Sequence, residues 1–428
     1  MKLLVRIVFV FLLFACTRQV DNSDIIITNI NIIDPVDHQI IPDQTIFIRD
    51  GIIAEIFTSV ENVEDMVADS IIDGTGKYVL SGFWNMHTHV TWKGDLDKSV
   101  FPVLLSYGIT GVRDMGGDAN ILNIFKAQIK TNPTSGPKLY GPGPLLDGSN
   151  PIHPDFSEAI TDENVDQILD SLYNKVDFYK VYSLLPENIL KRISAYSQDN
   201  NIPIAGHVSE YITPTQAAQL GYKSFEHLNR IEDIRSDSAE LKSFITAAKK
   251  SNAWFCPTLV IYQRKVQIAE GQDLSHPLYN KIDNNLREEW QRAKENREGV
   301  GSNPNKLREL ISIFSEQKEL VKLFYQKDLP LLIGSDFGGM AFVYPGYSFH
   351  EEMHLLSQIG VNNYDVLKMA TYNPAVYFNI TDKYGSIAEG KAADLVIMDK
   401  NPVEDIQNTL QISTVIRNGK PLNYIKTN

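Results

Sequence analysis

Cysteine is nearly absent. The 428 residues hold two, Cys16 and Cys256, so no disulfide framework is available and stability must come from a packed core. A Lys/Arg-rich run is also missing, and acids outnumber bases to a formal net charge of −13, which argues against nucleic acid as a partner. No apolar run reaches the roughly 18 residues needed to cross a bilayer. Long internal repeats and low-complexity linkers are lacking too. What remains is 43% hydrophobic and 22% charged, an ordinary globular balance that leaves no room for extended disorder. The length exceeds what a single core fills and predicts one large domain plus a smaller one.

The first residues are distinct. Lys2 and Arg6 precede a short apolar run, Ile7 to Ala15, that stops at Cys16, a pattern resembling a secretion signal. Leu13-Phe14-Ala15-Cys16 is similar to a lipobox, in which Cys16 becomes the lipidated mature N-terminus; an ordinary cleaved signal or an uncleaved anchor are the alternatives. The expectation is an exported, membrane-anchored lipoprotein whose only membrane contact is its lipid. Residues 1–22 are assigned to that signal and anchor region. With Cys16 modified, Cys256 has no intrachain partner.

Isoleucine-rich segments from Ile25, Ile46 and Ile52, separated by Asp-Pro and Asp-Gly turns, read as antiparallel strands. The same texture returns near the other end in Ala393–Met398 and Thr414–Gly419. Neither piece makes a core alone, so one small β-sandwich is expected from both ends, residues 23–80 and 379–428, around a central domain at 81–378. The centre alternates strand-like and helix-like patterns. Its eight strand candidates open at Tyr78, Gly108, Lys138, Asp177, Ile202, Lys223, Ala253 and Leu329. This predicts an α/β fold, a distorted (β/α)8 TIM barrel, with the charged stretch Gln272–Gln326 inserted over one face as a lid.

The candidate chemistry falls at strand ends. An apolar run delivers His87 and His89, which alternation places on one face of a strand. Alone, such a pair is more often two surface histidines. Here Lys180 lies late in the fourth candidate strand, His207 and His227 end the fifth and sixth, and Asp336 ends the eighth. Six candidate ligands therefore face one barrel mouth.

Gly82-Phe83-Trp84-Asn85-Met86-His87-Thr88-His89, Gly334-Ser335-Asp336, Thr371-Tyr372-Asn373-Pro374-Ala375 and the stretch Gly385–Val396 together resemble the amidohydrolase superfamily of metal-dependent hydrolases. Within it the chain is similar to prolidase-like and imidazolonepropionase-like dipeptidases. The resemblance implies two divalent ions, zinc or else manganese or cobalt. His87, His89 and Asp336 would hold one, His207 and His227 the other, and a CO2-derived carbamate on Lys180 would bridge them. Asp336 would be catalytic, taking the proton of the attacking water and passing it to the leaving amine. An ordinary strand-end lysine is the plainer account of Lys180.

For a small substrate, a dipeptide or N-acyl amino acid, His153, Tyr211 and Arg230 are candidate pocket residues; Arg113, Tyr262 and Arg264 also sit near strand ends, and Arg113 suits a structural ion pair equally well. His350-Glu351-Glu352-Met353-His354 matches a zinc-peptidase pattern, but its position opening a helix makes it a barrel helix, with His350 near the pocket at most. His38 and His276 read as surface residues. The rivals are a cyclic amidohydrolase and a binding lipoprotein without turnover.

Overall fold

The computed structural model describes residues 23–58, 68–92 and 94–422; the apolar N-terminal run and Cys16 lie outside them. Among the described residues no helix is long and apolar enough to cross a membrane. The fold is mixed α/β.

One sheet joins both ends of the chain. Its strands are β1 (Ser23–Asp34), β2 (Gln39–Arg49), β3 (Ile52–Thr58), β4 (Ala68–Asp73), β5 (Tyr78–Ser81), and, from the far end, β15 (Leu395–Met398), β16 (Ile412–Arg417) and β17 (Lys420–Pro421). The order is β17-β16-β15-β5-β1-β2-β3, with β4 paired to β1. The expected sandwich thus takes the form of one eight-stranded sheet. The reason lies in β1, where Asn29 adopts φ 52 inside the register shift between Ile27 and Ile30. Such a bulge inserts one residue and flips side-chain parity, so Ile25 and Ile27 before it and Ile30 and Ile32 after it bury in the same core. It also lets the first half of β1 pair with β4 and the second with β5. Alternation then makes β5 and β15 a shared wall: Val79, Leu395 and Ile397 enter the small core, while Leu80, Val396 and Met398 enter the large one. Each such side chain, fully buried, contributes about 1.5–3 kcal/mol.

The centre carries two parallel sheets. One is β6 (Phe83–Thr88), β7 (Ile109–Asp114) and β8 (Lys138–Tyr140); the other runs β10-β9-β11-β12-β13-β14, comprising β9 (Leu145–Asp147), β10 (Ser157–Ala159), β11 (Tyr179–Val181), β12 (Ile204–Gly206), β13 (Tyr222–Glu226) and β14 (Trp254–Cys256). Three candidate strands differ from expectation; the seventh, expected over Ala253–Ile261, stops at Cys256 because Thr258 adopts φ 50 and a helix begins at Leu259. The third yields only the short β8, and the sequence just beyond it, from Leu145, forms β9, which pairs with β11 instead. The eighth, near Leu331–Asp336, forms bridges but no ladder. It nevertheless links the two sheets, since Leu332 N donates to Phe255 O, Met86 N to Ile333 O and Asp336 N to His87 O, each at 2.8 Å. Gly334 permits this approach, because a Cβ there would stand 2.4 Å from the Cβ of His87.

The insertion forms the helices Asn284–Gly301 and Pro304–Gln326. It docks through Leu286, Trp290, Leu320, Val321 and Phe324, all buried.

Candidate metal centre

The centre grows from the C-terminal ends of the parallel strands. His87 and His89, two apart at the end of β6, project together with ring centroids 5.5 Å apart. His227 follows β13 with φ 61, and Asp336 has φ 59. This left-handed conformation costs a non-glycine residue about 1–3 kcal/mol. It has a local consequence at His227: Glu226 and His227 are consecutive, yet both reach His87, the first by a 2.8 Å contact and the second with ring centroids 4.4 Å apart. A regular strand would send them to opposite faces.

Each imidazole is anchored through Nδ1. That of His87 donates to Glu226 Oε2 (2.8 Å) and that of His89 to Gly116 O (3.0 Å). His207 Nδ1 meets Ser183 Oγ at 3.2 Å, and His227 Nδ1 meets Thr258 Oγ1 at 2.6 Å. Anchoring Nδ1 leaves Nε2 for another partner. Asp336 Oδ1 lies 3.3 Å from His87 Nε2 and 3.2 Å from His89 Nε2. His87 Nε2, Asp336 Oδ1, His207 Nε2 and Lys180 Nζ are buried without a hydrogen-bond partner. A buried unsatisfied group costs about 1–3 kcal/mol, and four converge here on one cavity of ≈ 60 Å³.

Electrostatics suits cation binding. Burial, with Lys180 nearby, holds His87 and His207 well below the usual imidazole range, and burial with His87 does the same for His227. All three imidazoles are therefore neutral near pH 7. Burial also brings the Lys180 ammonium down to about 8. Burial opposes the Asp336 carboxylate, but His227, His89 and Lys180 around it outweigh this and keep it below its ordinary value. His87, His89 and Asp336 offer atoms within 4.8 Å of one another, and so do His87, Glu226 and Cys256. The second group is not a ligand set. Glu226 is already held by Arg113 at 2.8 and 2.9 Å and by Ser224 Oγ at 2.6 Å, and burial keeps the Cys256 thiol protonated.

The residues expected here divide clearly. His87, His89, Lys180, His207, His227, Asp336 and His153 line the cavity, joined by Trp92, Tyr182 and Gly339. Tyr211 does not; it is 59% exposed, and Ile212 takes the inward place beside it. Arg230 is also absent from the lining, because its guanidinium donates to the carbonyls of Ser209 and Ile212 and steadies that loop. Arg113 is a structural ion pair, though with Glu226 rather than the adjacent Asp114. Arg264 pairs with Glu351. His350 is buried away from the pocket between Thr409 Oγ1 and Tyr107 O, while Glu352 accepts from Leu259 N and Val260 N and caps the helix Leu259–Ala269. His38 bonds the Asp365 carboxylate at the surface, and His276 packs against Tyr344 and Tyr347. Sequence reasoning passed over Glu226, Trp92 and Tyr182. Tyr182 was within reach, since it lies two residues beyond Lys180 on the same strand face.

A second cavity of ≈ 260 Å³ shares His89 and Trp92 with the first and reaches Leu286 and Glu289 of the inserted helix. Trp92 stacks between them, 4.3 Å from the ring of His89 and 4.4 Å from that of Phe156. The insertion therefore roofs the approach to the centre.

Residues 78–422 match the amidohydrolase family. The chain belongs to that family. Its members are generally metal-dependent hydrolases. Among curated relatives, this amidohydrolase is 33% identical over 93 residues to the imidazolonepropionase of Flavobacterium johnsoniae, a match spanning 22% of this chain and only 21% of the relative. Among solved structures, a Xaa-Pro dipeptidase with bound methionine in the active site superposes with TM-score 0.72 at 18% identity, covering 93% of this chain and 99% of that one. A bottromycin amidohydrolase gives 0.73 at 21%, covering 93% and 86%. A prolidase complexed with N-methylphosphonate-L-proline gives 0.70 at 19%, covering 93% and 99%. At such identities the likeness is one of fold.

Proposed function

We propose that this amidohydrolase is a binuclear metal-dependent hydrolase that cleaves an amide bond of a small substrate, a dipeptide or N-acyl amino acid. The observation that carries the reading is the convergence of four buried, unpartnered heteroatoms on one small cavity. The donor set fits, since neutral imidazoles and a carboxylate suit zinc, manganese or cobalt. His87, His89 and Asp336 would hold one ion and His207 and His227 the other. Lys180, whose Nζ has no partner, would lie between them as a carbamate, formed when its neutral amine adds to CO2 and loses a proton. Such ions, when bound, supply Lewis acidity and bring the ionisation of water toward neutral pH.

The chain's own groups do the rest. Asp336 takes the proton of the attacking water on its carboxylate and returns it to the leaving nitrogen. His153, on the cavity wall, donates to the carbonyl oxygen as negative charge gathers there. Trp92 and Tyr182 narrow the cavity against bulk water. In the same reading the two parallel sheets and the linking segment near Asp336 are a distorted (β/α)8 barrel spanning 81–378, inserted in the end sheet, and the protein is exported and lipidated at Cys16.

The test pairs metal analysis with hydrolysis of a dipeptide and N-acyl amino acid set. Asp336→Asn should lower kcat at least 100-fold, and Lys180→Ala should lose metal and activity together. Unchanged turnover in Asp336→Asn overturns the proton role. Metal-loaded protein that hydrolyses no amide points to a binder. The imidazolonepropionase likeness favours a second reading, a cyclic amide substrate, and activity confined to lactams would establish it.

A further inference from the structure

The cavity at the centre has a volume of ≈ 60 Å³. A dry cavity of about 150 Å³ holds a single benzene ring, so the centre has room for the reacting groups and for no large side chain. What flanks the scissile bond of a dipeptide or N-acyl amino acid needs a second space, and one adjoins. The cavity of ≈ 260 Å³ shares His89 and Trp92 with the centre, and by the same measure it takes an aromatic ring with room to spare.

The lining of this second cavity is of two kinds. Leu96, Leu286 and Phe337 are buried, and Trp92 and Phe156 stack with ring centroids 4.4 Å apart and planes 12° from parallel. Leu286 belongs to the inserted helix Asn284–Gly301, whereas Phe337 directly follows Asp336. The ionisable groups besides His89 are Asp155, Asp283 and Glu289, and among the described residues no lysine or arginine lines the space. Asp155 and Glu289 are exposed, so the cavity is apolar within and acidic toward solvent. These acids do not call for a cation, because Asp155 and Glu289 face water and Asp283 accepts from Asn285 N and Leu286 N. A carboxylate entering here would lose its hydration and meet like charge. An uncharged ring does neither, and it gains by burying its surface against the stacked Trp92 and Phe156.

We propose that this second cavity receives an aromatic side chain adjoining the scissile amide, so that the enzyme selects substrates with a phenylalanine-like residue there and rejects acidic ones. This rests on the hydrolase reading above. The inserted helix then takes part in specificity, because Leu286 supplies one wall of the space that the side chain fills.

The experiment measures kcat and KM of the metal-loaded protein on two dipeptide series, X-Gly and Gly-X, with X glycine, leucine, phenylalanine, lysine or glutamate. In one series phenylalanine should exceed glycine in kcat/KM roughly 10- to 100-fold, with glutamate at or below glycine. Leu286→Trp fills the cavity from the inserted helix, and Phe156→Ala removes its stacked wall. In each the phenylalanine-to-glycine ratio should fall to within about threefold, mostly through KM, whereas a merely structural role would lower both substrates alike and keep the ratio. A wild-type ratio near one in both series, a preference for lysine or glutamate, or a ratio unaltered in both variants overturns the subsite while hydrolysis itself stands. If no dipeptide is hydrolysed, the hydrolase reading fails by itself and calorimetry decides the subsite. Tighter binding of N-acetyl-L-phenylalanine than of N-acetylglycine, a difference lost in Leu286→Trp, supports it, and equal binding of the two overturns it.

Discussion

The two pairs of imidazoles in the centre are anchored by different chemistry. His87 is held by a carboxylate that is itself gripped by a buried arginine, and His89 by a backbone carbonyl. His207 and His227 are held by hydroxyls. A carboxylate or carbonyl only accepts, so it fixes the proton on Nδ1 and leaves Nε2 bare. A hydroxyl can donate or accept, so its effect depends on where its own proton goes. Thr258 Oγ1 donates to Pro257 O at 2.7 Å, which leaves it to accept from His227. The first pair is thus set by acceptors that cannot donate, charged at His87 and neutral at His89, and the second by a hydroxyl's surroundings. Orientation by charge is firmer, and it loads the core with an ion pair that must stay intact.

The largest effect should come from breaking that pair. Arg113 is fully buried and also donates to Met86 O, Ser224 Oγ and Tyr377 OH. Burial works against the Glu226 carboxylate, yet Arg113 and His87 hold it well below the usual range. Glu226→Ala leaves an uncompensated buried charge, expected to cost about 3–5 kcal/mol, and frees His87. Denaturant unfolding of the metal-free variant measures it; a loss below about 1 kcal/mol would erase the contrast between the two pairs.

Acid should act next, and on both pairs. His87, His207 and His227 are depressed below 6.5, so the native state refuses protons that the unfolded chain accepts. Their contribution is present above about pH 6.5 and is lost as pH falls, by about 1.4 kcal/mol per pH unit for each group that titrates only in the unfolded chain. Glu226 has the same sign, with its loss beginning lower, near the ordinary carboxylate value of 4.5. Glu352 and Glu232, raised by burial to about 8 and about 7, take up protons in the native state over the same window and oppose this, so the unfolding midpoint is expected to drop between pH 7.5 and 5.5 in chelated protein carrying Glu232→Gln and Glu352→Gln, and a flat profile there would show that these imidazoles are not held neutral.

What the sequence made legible was local. Alternation and βα spacing are set by neighbours in the chain, and they were enough to bring His87, His89, Lys180, His207, His227 and Asp336 to one mouth. Partnership is not local. Arg113 and Glu226 lie 113 residues apart, so the arginine's engagement could not be read from its surroundings, and the same holds for Arg264 with Glu351. Backbone exceptions were equally hidden: the left-handed Asn29 that flips β1 and the left-handed Thr258 that ends the seventh strand early give no composition signal.

The smallest effects separate the two hydroxyls, and they test whether anchoring depends on the hydroxyl or on what holds it. Thr258→Val keeps a β-branched side chain at a residue with φ 50, so the backbone cost is matched and only the acceptor is lost. The buried Nδ1–H of His227 then has no partner, and metal affinity should fall roughly 10- to 100-fold. Ser183→Ala removes a longer contact, 3.2 Å against 2.6 Å, from a hydroxyl without a fixed second partner of its own, and should cost about threefold or less. Chelator competition on both variants, with Thr258→Ser as the control that restores the hydroxyl, gives the ranking. Equal losses would mean that each imidazole needs only some hydroxyl nearby, and that the Pro257 carbonyl has no part in orienting His227.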